Sequence, residues 1–221
     1  SGQTYYLAIR ALNQAGRGPA STAQAFLSMV SPSGTATVTA TAGTQAITVS
    51  WTTVSGATSY ALSWMAGTFS PISATLITNA TSPTTITGLT AGQSYSFAIT
   101  PSNTAGDGTI SAVATQMPLP DGAPTVTATA GVQSVSVAWT GASGASSYKL
   151  YYMSGTYDQN TAAVVSNATS PTVISGLTAG QKYHFAIVPE NAGGTGTSSA
   201  VATQMPLPNA APVVTVKAGI G

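Results

Sequence analysis

Leu89-Thr90-Ala91-Gly92-Gln93-Ser94-Tyr95-Ser96-Phe97-Ala98-Ile99 returns 88 positions later as Leu177-Thr178-Ala179-Gly180-Gln181-Lys182-Tyr183-His184-Phe185-Ala186-Ile187. A turn-forming Leu-x-x-Gly stretch runs into alternating large apolar residues, so Tyr95, Phe97 and Ile99 share one face of a strand. Trp51 recurs as Trp139 and Met117-Pro118-Leu119-Pro120 as Met205-Pro206-Leu207-Pro208, all at the same offset. Several markers at one offset define a tandem repeat. Both ends of the chain carry cut copies. Gly2-Gln3-Thr4-Tyr5-Tyr6-Leu7-Ala8-Ile9 matches Gly92 to Ile99, and Pro212 to Gly219 matches Pro124 to Gly131. The parse is a partial unit (1–30), two whole units (31–118 and 119–206) and the first strand of a further unit (207–221).

Within a unit the patterning has period two. Thr35–Thr41, Ala46–Trp51, Ser59–Trp64, Thr75–Thr78, Thr84–Thr87, Tyr95–Ile99 and Ile110–Thr115 read as seven strands with turn residues between them. No stretch sustains a helical period. The expected fold is all-β: tandem immunoglobulin-like antiparallel β-sandwiches. Alternating prolines at Met117–Pro124 and Met205–Pro212 favour extended joints and hence a rod of sandwiches, with a softer joint at Ser31-Pro32-Ser33-Gly34.

The motif Leu89-x-x-Gly92-x-x-Tyr95-x-Phe97-x-Ile99 followed by Asn103-x-x-Gly106 resembles the E–F turn, strand F and F–G hairpin of the fibronectin type III family. Leu177 to Gly194 repeats it, and Gly2 to Gly16 repeats its later part, so that the partial unit 1–30 supplies strands F and G. Trp51 and Trp139 match the family's strand-B tryptophan, and Tyr60 and Tyr148 its strand-C tyrosine. Ser50-Trp51-x-x-Val54-Ser55-Gly56-Ala57-x-Ser59-Tyr60 looks like bacterial versions. The resemblance implies an extracellular or cell-surface spacer or adhesion module.

Composition narrows the function. Of 221 residues only 4% are charged, against about 25% in an average domain. Five Lys/Arg and four Asp/Glu leave a net charge of +1, so the basic footprint of a nucleic-acid binder is missing. With no cysteine there is no disulfide, thiolate zinc site or cysteine nucleophile. No apolar run reaches the roughly 18 residues of a membrane span. One histidine, His184, and four carboxylates supply all acid–base chemistry. His184 lies on strand F facing away from the core pair, as an exposed strand residue or as a base or ligand. Asp121, Asp158 and Glu190 are scattered along unit 119–206, and a retaining glycosidase would need Asp158 and Glu190 about 5 Å apart. No hydrolase elbow or calcium-loop spacing occurs. The expectation is therefore no enzyme, no cofactor and no metal.

Candidate contacts remain. Arg17, Asp107 and Thr195 occupy matching F–G tips, which serve either as binding loops on a scaffold or simply as glycine-rich turns. No Arg-Gly-Asp tripeptide is present. Trp64 and Phe69 cluster in one unit, and Tyr151, Tyr152 and Tyr157 in the next. By alternation from Tyr60, positions 60, 62 and 64 share one face and Tyr151 of the next unit points the other way, making Tyr151, Tyr157 and Phe69 candidate sugar or protein contacts. Asn79-Ala80-Thr81 and Asn167-Ala168-Thr169 match N-glycosylation sequons and equally match repeated turn asparagines. The expected partners are further copies or neighbouring repeats, with carbohydrate or surface proteins as the alternative. The expected role is a structural stalk, fibre or spacer array; the alternative is an adhesive or carbohydrate-binding module, accessory to a secreted polysaccharide hydrolase. The cut ends read as a window on a longer array rather than head-to-tail completion between subunits, because together they lack about half a unit.

If Trp51 spans the core, Trp51→Ala costs about 3–5 kcal/mol; an unchanged denaturation midpoint would place it outside the core.

Overall fold

A computed structural model describes residues 3–27 and 29–209, excluding the side chains of Phe26 and Leu27. The carboxy-terminal strand expected from Pro212 onward lies outside the described residues. Every regular element among the described residues is a strand.

In the second sandwich, Ala163–Val165, Ser147–Ser154, Tyr183–Asn191 and Gly194–Thr195 lie in that order in one sheet, and Ala202–Gln204 also pairs with Tyr183–Asn191. Val126–Gly131, Ser134–Trp139 and Thr172–Ser175 form the other sheet. All ladders are antiparallel. Alternation decides which face turns inward. Val135 and Val137 from one sheet meet Leu150, Phe185 and Ile187 from the other, all without solvent exposure. Burying each such side chain contributes about 1.5–3 kcal/mol. In the first sandwich the corresponding strands are Val38–Gly43, Ala46–Trp51 and Thr84–Thr87 in one sheet. Gly106–Asp107, Tyr95–Asn103, Ser59–Ala66 and Thr75–Ile77 form the other, with Ala114–Gln116 joined to it. Val49, Leu62, Phe97 and Ile99 are fully buried there, and Trp51 is 8% exposed. Trp51 is thus a core residue as expected, whereas Trp139 is half-buried and packs against the edge of its core.

Two features depart from simple alternation. The central strand is buried on both faces: Ala98 and Ala186 are as inaccessible as the large residues beside them. A small side chain in a strand flanked by two others leaves little area for water. The last expected strand, Ile110–Thr115, shrinks to Ala114–Gln116. Ser111 is the cause. Its hydroxyl accepts the Ile99 amide at 3.0 Å and donates to the Ala112 carbonyl at 2.8 Å, while its own amide donates to the Ile99 carbonyl at 2.9 Å. A side chain thus replaces a backbone partner and breaks the ladder. Ser199 repeats this on Ile187, and Ser21 repeats it on Ile9.

Residues 3–27 form two ladders, Thr4–Leu7 with Gln24–Leu27 and Arg10–Asn13 with Gly16–Ala20. Their apolar side chains are open, with Tyr6 73% and Ile9 80% exposed.

Side chains lock the corners. Tyr183 accepts the Thr178 amide on its hydroxyl at 3.2 Å, tying the corner that leads into its strand. Tyr60 and Tyr148 do the same for the amides of Val54 and Ala142, at 2.8 and 2.9 Å. Gln204 ties the two sheets of its sandwich, its side-chain amide donating to the Ala128 carbonyl at 3.1 Å; Gln116 does so to Ala40 at 3.2 Å. Asn191 pins the incoming chain: its side-chain amide donates to the carbonyls of Pro118 (2.9 Å) and Gly144 (3.1 Å), and its oxygen accepts the Gly193 amide (2.8 Å). Asn103 does the same with Val30, Gly56 and Ala105. The incoming proline then passes so close to the hairpin that a Cβ on Gly196 would sit 2.7 Å from the Pro120 carbonyl oxygen. Gly108 faces Pro32 in the same way at 2.8 Å. These glycines, just past the hairpin turn, are platforms for the joint. Gly196→Ala should therefore destabilise the second sandwich by about 1–3 kcal/mol, with a lower urea midpoint for that unit; an unshifted midpoint would show that the joint does not press on the hairpin.

Candidate functional site

The aromatic candidates of the second sandwich converge on the outer face of its larger sheet. Tyr151 lies on Ser147–Ser154 opposite Ala186 and Val164. Its neighbours Leu150 and Tyr152 turn into the core, so the outward orientation expected from alternation holds. Tyr151 is nevertheless half-buried rather than exposed. Tyr157, in the following loop, folds back over the sheet and places its ring 6.4 Å from that of His184, tilted by 41°. His184 is accordingly half-buried as well. The Tyr157 hydroxyl is buried and has no hydrogen-bond partner among the described residues. Desolvation raises its pKa above the usual 10.0, and the nearby Tyr151 and Asp158 add to the effect.

The first sandwich carries a different face at the same place. Phe69 stands where Tyr157 does, and Ser96 where His184 does. Ser96 is buried and donates to the Gly67 carbonyl at 2.5 Å. Trp64 turns inward to Tyr95, ring centroids 6.1 Å apart, with its indole nitrogen buried and without a hydrogen-bond partner among the described residues. Phe69 is half-buried. Arg17 and Asp107 are exposed on their hairpins, and no ion pair joins them among the described residues.

The titratable groups do not assemble into an acid–base pair. Glu190 binds Lys149, Oε1 to Nζ at 2.7 Å. That hydrogen bond, with the attraction of the carboxylate, holds the Lys149 ammonium above its usual pKa, the opposite of what a nucleophilic lysine needs. Asp158 accepts from its own loop, from the backbone and side-chain amides of Asn160. Its amide donates to the Met153 sulfur. Met153 pairs with His184, whereas Glu190 pairs with Ser147 at the far end of the same ladder. Six strand residues separate those rungs, about 20 Å, against the roughly 5 Å of a retaining glycosidase pair. No group of three His, Cys, Asp or Glu gathers among the described residues.

A second surface feature was not legible from motifs. Trp51 and Tyr60, ring centroids 6.0 Å apart, wall a concavity of about 380 Å³ with Ser59, Asn79 and Thr81 on its rim. Trp139 and Tyr148 (5.8 Å), with Ser147, Asn167 and Thr169, wall an equal one of about 380 Å³ in the second sandwich. Neither is lined by a charged side chain. The only signal in the sequence is the identity of these residues between repeats.

The buried Tyr157 hydroxyl generates a signed prediction. A raised folded-state pKa means that the contribution is whole below pH 10 and is lost as pH rises through the folded value. The second sandwich should lose stability above about pH 10, and Tyr157→Phe should remove that loss. At pH 7 the substitution should be neutral or stabilising, since it deletes an unsatisfied hydroxyl. Denaturation midpoints at pH 7 and across the alkaline range check both; a clear loss at pH 7 would mean that the hydroxyl has a partner.

The family model for the fibronectin type III domain matches residues 31–117 and 122–205. Among solved structures, the chain is similar to the FN1–FN3 domains of chicken CNTN1, at 19% identity over 92% of this chain and 75% of that one, TM-score 0.42. It is also similar to a two-domain fibronectin type III segment of chicken tenascin, at 16% identity over 80% of this chain and 99% of that one, TM-score 0.48. No curated protein matches it significantly. With two domain matches covering most of its length, the chain belongs to the fibronectin type III family.

Proposed function

We propose that this chain is a non-catalytic structural module in the extracellular part of a bacterial surface protein or filament, in which tandem sandwiches act as spacers and associate with neighbouring repeats or further copies. The observation that carries the reading is the repeated closure of the domain. Asn103 and Asn191 tie the incoming chain by the same bonds. Leu119 and Leu207 tie the outgoing chain, donating to the Gly43 and Gly131 carbonyls at 3.0 and 2.9 Å. Such ties at both ends suit a unit that transmits load from one joint to the next. Strand faces dressed in Ser, Thr and Ala lack the charges that usually prevent edge pairing, and near-zero net charge favours association.

A second reading, an adhesive or carbohydrate-binding module serving a secreted polysaccharide hydrolase, draws on Tyr151 and Tyr157 sharing an outer sheet face.

Pulling the chain end to end should give two discrete unfolding events, each releasing about 300 Å of chain. Sedimentation should show association that rises with concentration and responds little to salt, because few charges are there to be screened. Gradual extension without discrete events, or a monomer at millimolar concentration, would overturn the reading.

A further inference from the structure

The loop between the two sheets of each sandwich is one of several segments kept unchanged between the repeats. Asn79-Ala80-Thr81-Ser82-Pro83-Thr84 returns unchanged as Asn167-Ala168-Thr169-Ser170-Pro171-Thr172. Just upstream, Phe69-Ser70-Pro71-Ile72-Ser73 has become Tyr157-Asp158-Gln159-Asn160-Thr161, with no residue kept.

Folding accounts for part of that retention. Ala80 is 8% exposed, and its amide donates to the Tyr60 carbonyl at 2.8 Å. Ser82 closes a two-way bond on Trp51, its hydroxyl accepting the amide at 2.9 Å and donating to the carbonyl at 3.1 Å. The Thr84 hydroxyl donates to the Thr81 carbonyl at 2.6 Å. Asn79 takes the left-handed conformation that asparagine tolerates, φ 53°. The Thr81 side chain has no such task. It is exposed and makes no hydrogen bond among the described residues, and neither does the Asn79 side-chain amide. Asn167 and Thr169 stand the same way in the second sandwich. The two side chains of this loop left outside its hydrogen bonding are the two that an N-linked acceptor requires, although asparagine at 79 and 167 also suits the left-handed backbone there.

Both also line the concavity walled by Trp51 and Tyr60. At about 380 Å³ it falls at the lower end of ligand pockets, about 300–1,000 Å³. Its walls offer aromatic surface and neutral hydroxyls, which suit the apolar face and the hydroxyls of a neutral sugar ring. We infer that Asn79 and Asn167 are N-glycosylation acceptors and that the first sugar of each glycan lies in the adjoining Trp51–Tyr60 or Trp139–Tyr148 concavity. The donor is a polyprenyl-diphosphate-linked saccharide. A bond forms between the asparagine Nδ2 and the sugar C1, and the C1–O bond to the diphosphate breaks. The diphosphate leaves with the electron pair, and the amide gives up one proton to the medium.

This inference rests on the extracellular reading, so its test supplies the compartment directly. The full chain is secreted from a eukaryotic host, and its intact mass is read before and after an enzyme that releases N-glycans. Two glycans are expected. Asn79→Gln and Thr81→Ala should each remove one, Asn167→Gln and Thr169→Ala the other, and Thr81→Ser should keep its glycan. An unmodified mass from this host overturns the acceptor assignment and leaves the extracellular reading standing, since secretion was imposed; that reading is tested separately by surface labelling of native cells. The seat has its own readout. Tryptophan emission should differ between the glycosylated chain and the Asn79→Gln/Asn167→Gln chain, and identical spectra would show that the sugars do not touch Trp51 or Trp139.

Discussion

Burial of alternate side chains between two sheets is the constraint on which everything else in this molecule depends. With no disulfide and one ion pair among the described residues, stability has to come from packing. In the second sandwich Val135 and Val137 on one sheet and Leu150, Phe185 and Ile187 on the other fill that space. A slip of one residue in any of these strands would expose its whole apolar set. The corner tyrosines, the Gln204 tie and the Ser199 interruption all serve to hold that register.

The joints obey a different constraint, backbone satisfaction. A chain that passes from one sandwich toward the next carries carbonyls and amides with no ladder to join, and burying them unpaired would be costly. Asparagine at the F–G hairpin meets this need because one side chain offers two donors and an acceptor. Glycine two residues past the hairpin turn then lets the incoming proline approach without a Cβ in the way. The F–G hairpin is in this chain partly occupied by its own joint.

The outer faces show how one scaffold holds different surfaces. Substituting Tyr157 for Phe69 and His184 for Ser96 leaves the ladders unchanged, yet the hydroxyl of Tyr157 loses water without gaining a partner among the described residues. The twin concavities behave in the opposite way, keeping their walls while neighbouring loops change. Sequence reading favoured the first region because aromatic clusters stand out in a string. The second does not stand out there, because Trp51 is also a core residue and Tyr60 is half-buried beside it.

By itself the sequence determined the class of fold and its repetition, because period-two burial and an offset of 88 residues are local and translational properties of a string. It also placed Trp51 and Phe97 inside. Only the tertiary structure decided where the last strand of each unit breaks, why Gly196 has no side chain, and that Tyr157 covers His184. In each case the partner lies elsewhere along the chain: Ile99 for Ser111, Pro120 for Gly196, and a ring on another strand for Tyr157. Periodicity fixes which way a side chain points from its own backbone; what it meets there is set by the packing of segments distant in sequence.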